Sequence, residues 1–160
     1  MKFTQEDIEA IAGALDAEVK KSGDNFRLTI SNEEAGRKIS LEVNPDAQLG
    51  AERGSLVQVY TSNAFLQVQF CIGYIFSRMS GEVTFVTRHA GRVTGLVVEK
   101  EAGCSLYANI DEGAISGNYA KMSSEASIAA ISLSFAEQLL AEGGGSIDAD
   151  KILAEDMDDD

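Results

Sequence analysis

The pattern of apolar and polar positions opens with a helix. Ile8, Ile11, Ala12, Leu15 and Val19 follow helical spacing. Thr4 and Asp7 have the spacing of a capping box, and Phe3 is placed to staple against Ile8. Lys20, Lys21 and Gly23 supply a basic last turn and a stop, so the spacing predicts a helix over about 5–21.

The period then changes to two. Phe26, Leu28 and Ile30 alternate with polar residues, as do Ile39, Leu41 and Val43, which predicts two half-buried strands joined through the polar segment 32–37. Pro45 is expected to end the second strand, with a loop over 46–54. A further strand follows at 56–61. The stretch 63–81 fits either period. As a strand it sets Leu66, Val68, Phe70, Ile72, Tyr74 and Phe76 opposite Gln67, Gln69, Cys71 and Gly73; as a helix it must carry Gly73 inside. The strand is favoured, with Gly73 at a bulge or bend. Three more strands read at 82–88, 92–99 and 104–110. A second helix, capped by Ser123 or Ser124, carries Ile128, Ile131, Phe135 and Leu139 and stops at Gly143.

The expected fold is therefore α+β: one antiparallel sheet of six or seven strands, with N-terminal and C-terminal helices on one face. If residues 64–79 were helical, the order would become α-β3-α-β3-α, which resembles small acidic secretion chaperones in element order and charge alone. One domain over 1–142 is expected, then a glycine linker at 143–146 and an acidic tail to 160.

Charge narrows the partners. The chain of 160 residues carries a net charge of −13, of which −6 lies from Ser146 onward. Such a balance repels phosphate backbones, so nucleic acid is not an expected partner. The first seven residues lack the basic-then-apolar pattern of an export signal, and the run 71–76 is too short to span a bilayer. A cytoplasmic protein without membrane contact is the expectation. Cys71 and Cys104 stand apart and form no C-x-x-C pair, so they read as reduced thiols without metal.

Little chemistry is encoded locally. The one histidine, His89, lacks a nucleophile elbow, and no glycine-rich nucleotide loop or EF-hand pattern occurs. No cofactor and no catalytic residue are assigned. Arg78, Arg88, His89 and Arg92 form a locally basic stretch that could receive an anion or an acidic peptide, although exposed turns commonly carry such residues. The expected function is a noncatalytic protein-binding module, adaptor or chaperone-like, with a protein partner or a second copy. The rival is a small-molecule-binding protein or an enzyme with a pocket between sheet and C-terminal helix, around Tyr74, Tyr107 and Tyr119.

Overall fold

The computed structural model describes residues 1–89, 92–111, 139 and 144–151; at 89, 92 and 107–111 it describes the backbone alone. Helix α1 (Gln5–Leu15) is followed by β1 (Glu18–Ser22), β2 (Asn25–Asn32), β3 (Arg37–Leu49), β4 (Glu52–Tyr60) and β5 (Phe65–Gln69). These five strands form an antiparallel sheet in chain order, here sheet A. Then come β6 (Cys71–Ser77), β7 (Glu82–His89), β8 (Arg92–Glu99), β9 (Cys104–Asp111) and β10 (Gly145–Asp148), which form sheet B in the order β10-β6-β7-β8-β9. The expected single sheet of six or seven strands is thus corrected to two sheets of five. The helical alternative for 64–79 is excluded, because that stretch is β5 and β6.

The capping box forms as its sequence implies. Asp7 N–H donates to Thr4 Oγ1 at 3.2 Å, and Thr4 N–H donates to Asp7 Oδ2 at 2.8 Å. The helix is shorter than the apolar spacing suggests. Asp16 takes a left-handed conformation (φ 50°) and caps it, so Val19, Lys20 and Lys21 fall in β1, an edge strand exposed along its whole length. The spacing of Val19 was a coincidence of phase rather than a core contact.

Three backbone irregularities reshape the middle of the chain. Pro45 does not end β3; it sits in a register shift between Asn44 and Ala47, where a bulge dispenses with its missing N–H. The expected loop over 46–54 is instead the β3–β4 hairpin, with Gly50 at φ 65° in its turn. At Phe70 (φ 57°) the chain leaves sheet A and enters sheet B. This turn advances the inward phase by one residue, so Cys71 faces the core and Phe70 does not. A second register shift, between Cys71 and Gly73, restores the phase and returns Tyr74 and Phe76 to the core.

The inner faces of both sheets and α1 share one core. Ile8, Ile11 and Leu15 of the helix meet Leu28, Leu41 and Val59 of sheet A and Tyr74, Phe85 and Leu96 of sheet B. Burying each such side chain contributes roughly 1.5–3 kcal/mol, which is why these alternating positions fix the register. Sheet B is buried on its other face as well: Ile75, Val86 and Val93 pack there with Leu139, Ile147 and Ala149. The C-terminal helix expected before Gly143 falls, apart from Leu139, outside the described residues, as does the tail beyond 151.

Part of the expected linker is a strand. Gly145–Asp148 pairs in parallel with β6. Beyond it, Asp150 caps the β6–β7 turn, accepting from Ser77 Oγ at 2.5 Å, Arg78 N–H at 2.6 Å and Met79 N–H at 3.1 Å. No helix among the described residues is long and apolar enough to cross a membrane.

Candidate interaction face and edge

The sequence-derived basic stretch is divided by the fold. Arg78 lies in the β6–β7 turn, where its guanidinium stands over the Phe76 ring, 5.5 Å from the centroid. Arg88 and His89 end β7 at the opposite side of sheet B, and Arg92 is in register with His89 across the hairpin. The eight residues of β7 span roughly 24 Å, so Arg78 is separated from the other three by the length of a strand. The topology brings Arg88, His89 and Arg92 to one end and leaves Arg78 at the other. The Arg88 side chain lines an open cleft of about 580 Å³ together with Lys2, Asp46, Arg53 and Phe70. Arg53 is already committed there, donating to Asp46 Oδ1 at 3.1 Å and to Gln48 Oε1 at 3.2 Å.

The tyrosine pocket has no counterpart at Tyr74. This residue is a buried core side chain whose hydroxyl donates to Asp7 Oδ1 at 2.9 Å. Burial first, and then the bond to Asp7 and its charge, push the phenol well above its usual range. The Tyr107 side chain and Tyr119 lie outside the description. Both cysteines are free, and Cys71 is buried with its thiol donating to Gly73 O at 3.1 Å. Desolvation pushes the Cys71 thiol up to about 11, and burial followed by the Glu99 charge raises Cys104. Neither thiol has the lowered pKa of a reactive cysteine.

One carboxylate pair does occur. Glu82 and Glu99 are cross-strand partners, and Glu82 is raised above the usual range by burial first and then by Glu99. Neither lines the cleft beside Arg88 or the open cleft of about 690 Å³ near Tyr60 and Cys104. Among the described residues, no group of three or more His, Cys, Asp or Glu could hold a metal ion.

A more distinctive surface lies on sheet A, whose outer face is open to solvent. One row across the five strands runs Lys20, Arg27, Glu42, Gln58, Gln67; the next runs Glu18, Thr29, Ser40, Tyr60, Phe65. Arg27 and Glu42 form an ion pair, and Gln58 Nε2 donates to Gln67 Oε1 at 3.3 Å. At the β4–β5 margin the polar face turns aromatic. The rings of Tyr60 and Phe65 lie 5.0 Å apart and remain 40% and 49% exposed, and Phe70 at the corner is 36% exposed. The Phe70 ring rests on the Gly54 backbone, where a Cβ would come within 2.6 Å of it. Gly54 thus leaves room for the ring.

This margin carries a sequence signal that periodicity does not reveal. Residues 54–77 contain no Asp, Glu, Lys or Arg, although those types make up 24% of the chain. No protein family matches the chain, and no curated protein or solved structure matches it either.

Proposed function

We propose that this protein is a noncatalytic protein-binding module, adaptor-like or chaperone-like, that receives its partner at the β4–β5 margin of sheet A. The observation that carries the reading is the exposed Tyr60–Phe65 pair, extended by Phe70, on an otherwise hydrogen-bonded polar sheet face. Aromatic side chains are enriched at interface centres because they bury large areas at low entropic cost. The absence of charge on 54–77 supports the same reading, since charged residues are depleted at interface cores. A net charge of −13 favours a partner that is basic or neutral overall.

The test is quantitative affinity capture with the full chain, its Tyr60→Ser/Phe65→Ser double variant, and Glu6→Gln/Glu9→Gln, at exposed positions of α1 away from the outer face of sheet A, as a control. The two rings are only partly covered, so the double variant should fold cooperatively and lose about 1 kcal/mol or somewhat more with their cross-strand contact. A stoichiometric partner retained by the parent and the control but lost at least tenfold by the double variant is the expected result. Equal retention by all three chains would reject this margin as the binding surface.

A further inference from the structure

The two outer edges of sheet A are built differently. β1 carries Glu18, Lys20 and Lys21, and charged side chains, lysine above all, are the usual guard against pairing with another chain. β5, with the sequence Phe-Leu-Gln-Val-Gln, has no charge, proline or glycine. Among the described residues no strand pairs with its outer side.

The backbone phase of β5 follows from two hydrogen bonds. Phe70 N–H donates to Ser55 O at 2.9 Å, and Thr61 N–H donates to Ala64 O at 2.9 Å. Bonded pairs in an antiparallel ladder recur at every second residue. With the register Val57–Val68 and Val59–Leu66, the groups directed at β4 are those of Leu66, Val68 and Phe70. The N–H and C=O groups of Phe65, Gln67 and Gln69 therefore point away from the sheet.

We propose that this edge, unpaired among the described residues, takes an extended segment of a partner protein as a sixth strand of sheet A. The proposal rests on the binding-module reading above and names how that partner docks. Main-chain hydrogen bonds to Phe65, Gln67 and Gln69 supply the attachment, and alternate side chains supply the selectivity. On the solvent side the incoming strand lies beside Phe65, within the 4.5–5.5 Å range of cross-strand neighbours, and on the inner side it covers half-buried Leu66. The matching segment is an uncharged run of about five residues with a branched or aromatic residue beside Phe65. Basic residues flank it, complementing the acidic chain. A second copy fits less well. Edge-to-edge pairing of two five-residue strands buries far less than the roughly 1,200 Å² of a stable interface, and it brings two chains of charge −13 together.

The probe is a blocked peptide of alternating threonine and valine flanked by paired lysines, added to the full chain while amide exchange is followed by NMR. Exchange should slow at least tenfold at Phe65, Gln67 and Gln69, with no change at Leu66 and Val68, whose N–H groups are already bonded. Gln67→Pro should abolish this protection and lower melting only slightly, through loss of the exposed Gln58–Gln67 side-chain bond, because the Gln67 N–H serves no bond within the sheet. Gln69→Pro, which removes another outward N–H, gives the same reading if Gln67→Pro fails to fold. Peptide-induced shifts at Tyr60 and Phe65 without slowed exchange would overturn strand addition while leaving the binding surface intact. Protection already present in the free chain and rising with its concentration would make a second copy the occupant and overturn the proposal. No protection at saturating peptide would overturn it as well.

Discussion

Replacing Gly73 by alanine tests how the C-terminal segment is joined to sheet B. A Cβ at this position would fall far inside van der Waals contact with Gly145 O, 3.0 Å from Gly145 N and 3.1 Å from Leu139 Cδ2. Gly73 lies outside the left-handed region, so alanine adds no backbone strain and the whole cost arises from the clash. Two of those three atoms are backbone and cannot swing aside. The cheapest relief is for β10 to leave β6, since the rest of sheet B is bound through β7 and β8. Undocking exposes Ile147, worth roughly 1.5–3 kcal/mol, and breaks ladder bonds worth about 1 kcal/mol each, offset in part by the freedom the strand regains. A net loss of about 2–3 kcal/mol accelerates exchange of those β10 amides that donate to β6 roughly 30- to 150-fold. Exchange at Phe85 and Leu96, in the shared core, should remain near that of the parent. Native-state hydrogen exchange reads both quantities at once. Unchanged exchange across β10 would show that the Gly73–Gly145 contact does not hold the segment, and a uniform acceleration would show that β10 belongs to the global folding unit.

Four other outcomes follow from local physics. Gly13→Ala, on the exposed side of α1 with its Cβ at ordinary van der Waals distance, 3.4 Å, from Arg78 Nε, should stabilise the chain by about 0.5–1 kcal/mol in urea unfolding. Because the folded-state pKa of Cys71 is raised from 9.0 to about 11, the stability it contributes is complete below pH 9 and is lost as pH climbs to 11, by about 3 kcal/mol. Urea midpoints across that window should fall, and Cys71→Ala should remove most of the fall between pH 9 and 10, above which the raised Tyr74 phenol contributes a loss of its own. Desolvation works against the Asp150 charge, but the Ser77 hydroxyl, the Met79 and Arg78 amides and the Arg78 charge hold its pKa below the usual carboxylate value. Its contribution is therefore present at neutral pH and lost as pH falls below about 4. Asp150→Ala should speed β10 exchange at pH 7, with the difference from the parent shrinking in acid. Glu82 is shifted the other way, so Glu82→Gln should raise stability at pH 7 by roughly 0.2–1 kcal/mol and have little effect at pH 3, measured by thermal melting.

Local signals in the sequence carried a good part of the fold. Thr4, Asp7 and the apolar spacing fixed the start of α1, and alternation located the strands around Leu28, Leu41, Val57, Phe85 and Leu96. The stop at Asp16 escaped because a non-glycine residue in the left-handed region has no strong sequence mark, and Lys20 and Lys21 suit a helix end as readily as an exposed edge strand. The division into two sheets was hidden for a related reason. The switch occurs at one residue, Phe70, inside an apparently continuous alternation, and the bulge beyond it restores the phase. Gly144 and Gly145 read as a linker, yet their positive φ angles of 102° and 117° bring the chain to the β6 edge, where a Cβ on Gly73 would block it. The basic stretch looked compact because Arg78 and Arg92 are near in sequence; a hairpin sends them to opposite ends of β7. The aromatic margin was legible only through the missing charges of 54–77.

The central claim is that a partner docks on the β4–β5 margin, and the most direct measurement is hydrogen–deuterium exchange of the full chain, free and bound to the protein it captures. Slowed exchange concentrated in residues 60–70, with β1 and the β7–β8 hairpin at Arg88 unchanged, is the predicted result. Protection centred on Arg88 and Arg92, or on the C-terminal segment, with residues 60–70 unaffected, would contradict it.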